Sequence, residues 1–550
     1  MHEGLSALGV VTDDEAAAQA GWADWLAALA RSGRATRLSA GLWTAAERLA
    51  EARMLYPDAA AEPAIEPPAE HASASGTRED VLCDLLRARL GGLGPVPADT
   101  LAAQLRLPRD EIEQALLGLQ AEGAVLQGRF TPGAPALEWC ERHLLARIHR
   151  YTLKRLRQEI EPVEPRDFAR FLFDWQHVGA GRQVEGPEAL PAVLALLEGY
   201  EAPAGQWEAE ILPARVRDYA SAWLDDLCTA GRTTWARLRP AGPGGRGGAG
   251  ASLRATPVLL LPRRSAAVWT RVAPALPEDA ELGGRARRLA DYLAAHGASF
   301  FDEMQHGTRL LQTELEDALA ELVARGRASC DSFAGLRALM LPAAKRAPSR
   351  SRHRVHRPLF GIEDAGRWSP VRQHKASGTP VQEDAEHVAR ALLRRYGVIA
   401  WRLLEREAAW LPPWRDLVRV CRRLEARGEL RGGRFIAGLS GEQFALPEAV
   451  ARMREMRRQP PDASFVCLAA SDPANLLGTV LPGPKLPRVA GTRVLYRDGL
   501  PVATLVAGDV SALVPMTPEE RHAAARALTI DTGLRLVADR ALASARPAGP

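Results

Sequence analysis

The sequence predicts a mainly α fold with small β elements (α+β), a tandem winged-helix array followed by a small β-rich closing domain. Three observations carry this prediction. One phrase of fixed spacing recurs along the chain, helical apolar periodicity stands upstream of its copies, and the tail from about residue 461 switches to strand-and-turn chemistry.

The phrase is Leu, three residues, Gly, six residues, then an apolar anchor. It occurs at Leu119/Gly123/Phe130, Leu227/Gly231/Leu238, Leu322/Gly326/Phe333 and Leu424/Gly428/Phe435, and Leu29/Gly33 matches its first half. Successive glycines lie 90, 108, 95 and 102 residues apart. Repetition at a fixed phrase marks one supersecondary unit used several times. A second landmark, Gly94, Gly297 and Gly397, precedes three of the copies by about one helix–turn–helix.

The second unit shows the local logic. Thr77 can cap a helix whose Val81, Leu82, Leu85, Leu86 and Leu90 follow helical spacing. Gly94-Pro95 ends it, a short helix covers about 97–105, and Pro108 opens a third helix that stops at Gly123. Residues 124–130 read as a strand and Thr131-Pro132-Gly133 as a turn. In the tail, residues 464–469 read as a strand and 493–506 as a hairpin around Asp498-Gly499, a tight-turn dipeptide.

The units divide as follows: a truncated winged-helix-like unit over 1–56, an acidic Pro/Ala-rich linker over 57–76 and a winged helix over 77–140. A basic helix plus a third winged-helix-like unit covers 141–270, interrupted by a Gly-rich stretch at 240–252. A winged helix follows over 271–342, then a basic, proline-punctuated linker over 343–380. A winged helix with a basic third helix occupies 381–457, and a small α/β or β-rich domain closes the chain over 458–550.

Composition bounds the function. With 47% hydrophobic and 25% charged residues over 550 positions, the chain can bury several cores. The longest apolar run is far short of the ~18 residues of a membrane helix, and the N-terminus, with Glu3, Asp13 and Asp14, does not read as a secretory signal. Six cysteines are scattered without a C-x-x-C pair, which suits a reducing cytoplasm and gives no metal or disulfide framework. The net charge of +4 says little, and all but four of the 71 cationic side chains are arginine.

Position, not abundance, singles out cations. A winged helix offers its third helix to a nucleic-acid groove. That helix carries Asp110, Glu111 and Glu113 in the second unit and Glu314, Glu316, Asp317 and Glu321 in the fourth, which phosphate would repel. The last unit instead carries Arg415, Arg419, Arg422 and Arg423, with Arg431 and Arg434 in its wing. Two further clusters are basic. Arg147, Arg150, Lys154 and Arg157 line one face of a helix over 141–160, and Lys345, Arg346, Arg350, Arg352, Arg354 and Arg357 crowd the linker with no acid among them.

Motifs for chemistry are sparse. No phosphate-binding G-x-x-x-x-G-K-[ST] exists, so the chain has no ATP site and is not by itself an ATPase; no hydrolase or zinc signature appears, and no cofactor or metal is implied. Two polar clusters are candidates for base excision, in which a carboxylate or amide orients water beside a flipped base. They are Asp174 and Gln176 at the end of an aromatic helix, and Asp472 after the first strand of the tail.

Long phrases carry a resemblance. ERHLLARIHRYTLKRLRQEIEPVEPRDFARFLFDWQ over 141–176, Gly366-Arg367-Trp368, GLSGEQFALP over 438–447, residues 471–476 and VLYRDGLPV over 494–502 resemble, in order, the C-terminal half of bacterial large helicase-related (Lhr) proteins. The resemblance implies a partner motor: full-length relatives are superfamily 2 helicases with an N-terminal pair of RecA-like domains, using ATP and Mg²⁺. It also implies a winged-helix array like that of AlkZ-type DNA glycosylases, with self-association and uracil excision in some members. The helicase core has no counterpart in this sequence. The AlkZ-type glutamine motif has only a loose match at Gln382-Glu383-Asp384.

The sequence thus predicts a nucleic-acid-binding and assembly module, the accessory half of a DNA repair helicase in the bacterial cytoplasm. Its partners would be single-stranded DNA or a DNA/RNA hybrid, a helicase core and other copies of the chain, with no membrane. A uracil-DNA glycosylase and an oligomerisation scaffold without catalysis stand as alternatives.

Overall fold

The computed structural model describes residues 1–158, 160–179, 181–238, 253–274, 282–341, 362–371, 382–461 and 463–529. The Gly-rich stretch at 240–252 and the six cations between Lys345 and Arg357 lie outside them. The chain divides into two compact units, Met1–Leu156 and Arg157–Pro550.

In the first unit, α1 (His2–Leu8), β1 (Val10–Thr12), α2 (Asp13–Ala18), α3 (Trp22–Arg31), β2 (Ala35–Leu38) and β3 (Leu42–Ala45) follow winged-helix order. This segment is complete rather than truncated. Gly41, at φ +75°, closes its wing in a tight turn, so no apolar anchor seven residues after Gly33 is needed. After α4 (Leu49–Leu55), the expected linker contributes β4 (Ala61–Glu62), which pairs with β2 at the sheet edge.

The second winged helix is α5 (Arg78–Leu90), β5 (Val96–Pro97), α6 (Ala98–Leu105), α7 (Arg109–Ala121), β6 (Val125–Gly128) and β7 (Glu138–Glu141). Thr77 caps α5 in a reciprocal capping box with Asp80. That helix ends at Gly91, earlier than Gly94 suggests. The long helix α8 (Arg142–Gln158) then leaves the second wing.

In the second unit, α9 (Pro165–Trp175) precedes a short strand β8 (Val184–Glu185). The third winged helix comprises α10 (Leu190–Leu196), β9 (Ala202–Pro203), α11 (Ala204–Gln206) continued by a π-turn, β10 (Val216–Arg217), α12 (Ser221–Thr229), β11 (Thr233–Ala236) and β12 (Pro257–Pro262). α13 (Ala266–Val272) leads to the fourth: α14 (Gly284–His296), α15 (Phe301–Thr308), α16 (Gln312–Ala324), β13 (Ala328–Cys330), α17 (Phe333–Leu339) and β14 (Trp368–Pro370). Here α17 is inserted between the wing strands, and the anchor Phe333 begins it.

The fifth comprises α18 (Gln382–Tyr396), β15 (Val398–Ile399), a 3-10 segment (Trp401–Arg406), α19 (Trp414–Ala426), β16 (Arg431–Gly433) and β17 (Gln443–Ala445), followed by α20 (Pro447–Arg458). The closing domain is the antiparallel meander β18 (Phe465–Ala469), β19 (Arg493–Arg497), β20 (Leu500–Val506), β21 (Asp509–Ala512), covered by α21 (Pro518–Thr529). Asp498 and Gly499 both take positive φ between β19 and β20, as a two-residue hairpin turn requires.

The repeated phrase has a physical identity. In all five winged helices the residue after the glycine donates its N–H to the carbonyl of the phrase leucine, at 2.8–3.0 Å, and the glycine N–H donates three residues back. That is the Schellman cap, which needs left-handed backbone at its penultimate position. Gly33, Gly123, Gly231, Gly326 and Gly428 all supply it, at φ +69° to +78°.

α9 anchors the second unit's larger core. Phe168, Phe171 and Phe173 are buried among α18, α20 and the first strands of the closing domain. Burial of a side chain of that size contributes roughly 1.5–3 kcal/mol.

Candidate nucleic-acid interface

α19 is built to be sided. Pro413 precedes it, and Leu417, Val418, Val420, Cys421 and Leu424 bury one stripe. The opposite face raises Arg415, Arg419 and Arg422, whose side chains are 80%, 72% and 60% exposed. Asp416 lies 3.8 Å from Arg415 and 3.1 Å from Arg419, and Glu442 lies 2.7 Å from Arg422. Arg423 turns aside and is half-buried. In the wing, Arg431 and Arg434 are exposed, with no acidic partner among the described residues. Two acids face five arginines, so the surface keeps a cationic surplus on the element a winged helix offers to a groove.

Glu425 holds this surface in place. Its carboxylate is buried, accepts the Gly432 N–H of β16 at 3.0 Å, and is gripped in a bidentate pair by Arg157. Arg157 therefore does not belong to the phosphate stripe. Its guanidinium is occupied within the second unit, lying so close to the β16 backbone that a Cβ on Gly432 would meet it. Arg147, Arg150 and Lys154 remain exposed on α8.

On three of the other third helices, acids are drawn into ion pairs or backbone contacts. On α7, Glu111 pairs with Arg78 and Glu113 with Arg109. On α12, Asp225 pairs with Arg337. On α16, Glu314 pairs with Arg285, and Glu321 accepts the Gly283 N–H. The exposed pairs among these contribute little stability, and no described arginine on α7, α12 or α16 stands without an acid beside it.

The base-excision candidates meet in an unexpected way. Gln176 and Asp472, nearly 300 residues apart, converge on Arg215, a residue the sequence did not flag. Arg215 donates to both Asp472 oxygens at 2.8 Å and to Gln176 Oε1 at 2.6 Å, and all three side chains are sealed from solvent. Gln176 Nε2 in turn donates to the Arg395 carbonyl. Around them Arg406 donates to the Ala470 and Asp472 carbonyls, Tyr200 to the Ser471 carbonyl, and Arg395 and Tyr396 to Glu407. Neither Gln176 nor Asp472 can face a flipped base, since their polar atoms are committed and closed off. Asp174 stays partly exposed, 3.6 Å from Arg452. Gln382 and Asp384 open α18, where the Asp384 carboxylate is taken by Arg271.

Glu198 closes one side of this junction, accepting from Trp269 at 2.9 Å, Arg394 at 2.8 Å and meeting His387 at 2.6 Å. Burial alone would raise its pKa. The hydrogen bonds from His387 and Trp269 outweigh burial and hold it at about 2. Burial pushes the Cys228, Cys330 and Cys421 thiols up to about 12, so none of the three is a thiolate nucleophile near neutrality.

Two family profiles match, both described as large helicase-related protein, winged-helix domain: the third such domain over residues 163–262 and the fourth over 379–465. These ranges enclose the third winged helix and the fifth, with α19. The chain carries winged-helix domains of the large helicase-related family. An "Lhr helicase/ probable uracil glycosylase" of Mycolicibacterium smegmatis is 30% identical over 535 residues, covering 92% of this chain and 34% of the relative. An "Lhr helicase/uracil glycosylase" of Escherichia coli is 28% identical over 504 residues, covering 82% and 31%. The chain thus spans about a third of the length of these Lhr relatives. Among solved structures, the Streptomyces sahachiroi DNA glycosylase AlkZ aligns with a TM-score of 0.40 at 13% identity, over 69% of this chain and 98% of that one, too distant to carry an argument. No helix among the described residues is long and apolar enough to cross a membrane.

Proposed function

We propose that this Lhr-type chain is a nucleic-acid-binding arm that holds phosphates through α19 and its wing and serves a helicase motor, on the same polypeptide or a partner. The carrying observation is the contrast among third helices: α19 alone joins exposed arginines to a wing with unpaired Arg431 and Arg434, among the described residues. Arg147, Arg150 and Lys154 on α8 add a second basic surface, and the cations over 345–357 a third by sequence alone. Single-stranded DNA or a DNA/RNA hybrid in the bacterial cytoplasm is the proposed ligand. Binding of this kind needs neither ATP nor a metal, so it should persist in EDTA.

The test is affinity of the purified chain for a single strand as salt is raised. Counterion release makes log affinity fall linearly with log salt, by roughly 0.7 per phosphate contact. A curve flat between 50 and 200 mM salt would overturn the assignment; combined with a single high-mass species in light scattering, it would favour a scaffold of self-associated copies.

A second activity, uracil excision, is suggested by the two relatives, one a uracil glycosylase and the other a probable one. In this chain it would have to use residues other than Gln176 and Asp472. Incubation with a uracil-bearing strand followed by alkali checks it: cleavage that survives repurification establishes the activity, and an intact strand removes it.

A further inference from the structure

We propose that Tyr151 makes α8 a stacking platform for an unpaired base, with Arg147 and Lys154 holding the neighbouring phosphates of a single strand. This rests on the nucleic-acid-binding assignment above and adds to it a contact with a base.

The helix is chemically one-signed. No Asp or Glu occurs from Arg142 to Gln158, and the acid just before it, Glu141, is occupied in accepting the N–H groups of His143 and Leu144. At about 100° per residue, Leu144, Arg147, Ile148, Tyr151 and Lys154 fall on one face. On that face Tyr151 is 69% exposed, the most exposed large apolar side chain among the described residues, and Ile148 is 36% exposed. The Tyr151 hydroxyl, the Arg147 guanidinium and the Lys154 ammonium have no partner among the described residues. A folded helix has no internal reason to hold an aromatic ring in water between two unpaired cations.

That arrangement matches one ligand chemistry. Single strands are held by cations along the backbone and aromatic rings under the bases. A duplex hides its base faces and would leave Tyr151 without a stacking partner. An anionic membrane also attracts basic amphipathic helices. Yet Leu144 and Leu145 are half-buried, so the exposed apolar strip is only Ile148 and Tyr151, too narrow for insertion.

The experiment compares the full chain with Tyr151→Ala and Tyr151→Phe by fluorescence anisotropy. The probes are oligo-dT, an abasic oligonucleotide of equal length, and a duplex, with anionic vesicle co-sedimentation in parallel. Tyr151→Ala should weaken oligo-dT binding about 5- to 100-fold. Its salt slope, abasic binding and duplex binding should not change, and Tyr151→Phe should match the wild type. Equal oligo-dT binding by wild type and Tyr151→Ala overturns the stacking role while leaving the broader assignment standing. An equal loss on the abasic strand, or a loss seen only with vesicles, also overturns it. A wild-type chain that binds no probe overturns the broader assignment itself.

Discussion

The two richest arginine sites in the second unit use the same side chain for opposite ends. Around Arg215, Arg395 and Arg406 the guanidinium groups are sealed from water and bound through their terminal nitrogens to Asp472, Glu407 and main-chain carbonyls, each Nε being left without a partner. On α19 and its wing they stand in solvent, facing too few acids to neutralise them. Arginine suits both tasks because its planar fork holds carboxylate and phosphate alike. Only the surroundings assign the role. A buried cation whose partner was lost would carry an uncompensated charge, whereas an exposed one has water and counterions in reserve.

The largest effect expected from this contrast lies at the buried site. Arg215→Met leaves Asp472 and Gln176 facing each other without their common donor, and should destabilise the second unit by about 3–5 kcal/mol. The double variant Arg215→Met/Asp472→Leu should be less destabilised than the single one, because it removes the orphaned charge as well. Urea unfolding midpoints decide it; a single variant that unfolds like wild type would mean the junction is not a stability element.

The same junction should be acid-sensitive. The Glu198 carboxyl titrates from 4.5 in the unfolded chain to about 2 in the fold. A depressed carboxylate contributes its full stabilisation above pH 4.5, on the order of 3 kcal/mol, and loses it as the pH falls toward 2. Glu198→Gln should therefore be less stable than wild type at pH 7, and the gap should narrow below pH 4.5. A gap independent of pH would refute this account of the site.

The exposed site should behave inversely. Arg415, Arg419, Arg431 and Arg434 changed together to Gln should leave unfolding midpoints nearly unaltered. The salt slope for single-stranded DNA should fall by about 3 and the affinity by roughly a hundredfold at 0.1 M salt. An unaltered slope would move the phosphate contacts off α19.

How far these sites could be read from sequence follows from the range of the interactions that make them. The winged-helix array was legible because its signal is local: Leu-x-x-x-Gly sets a Schellman cap within six residues, and Asp498-Gly499 sets a hairpin within four. The exposed arginines of α19 were legible because helical spacing fixes which residues share a face. Local patterns could not reveal that Arg157 would be claimed by Glu425, 268 positions away, nor that Gln176 and Asp472 would share Arg215. No spacing rule links residues brought together only by tertiary packing. The candidates for base excision were polar clusters at element ends, which is also how a domain junction looks in one dimension.

The smallest predicted effect probes the border between the two uses of arginine. Glu442 sits where the wing meets α19, 2.7 Å from Arg422 and 3.8 Å from Arg157. It is only partly exposed, so it holds Arg422 away from an incoming phosphate while adding little to the Arg157–Glu425 lock, which is made at closer range. Glu442→Gln should keep the fold, since an exposed pair contributes at most about 1 kcal/mol. It should strengthen single-strand binding about two- to threefold, as Arg422 is released and one repelling charge is removed. Arg422→Gln should weaken binding less than Arg431→Gln does, because Arg422 enters the comparison already half-neutralised. If Arg422→Gln proves the more damaging of the two, Glu442 positions Arg422 for the strand rather than withholding it, and the cationic surplus must be counted by geometry rather than by pairing.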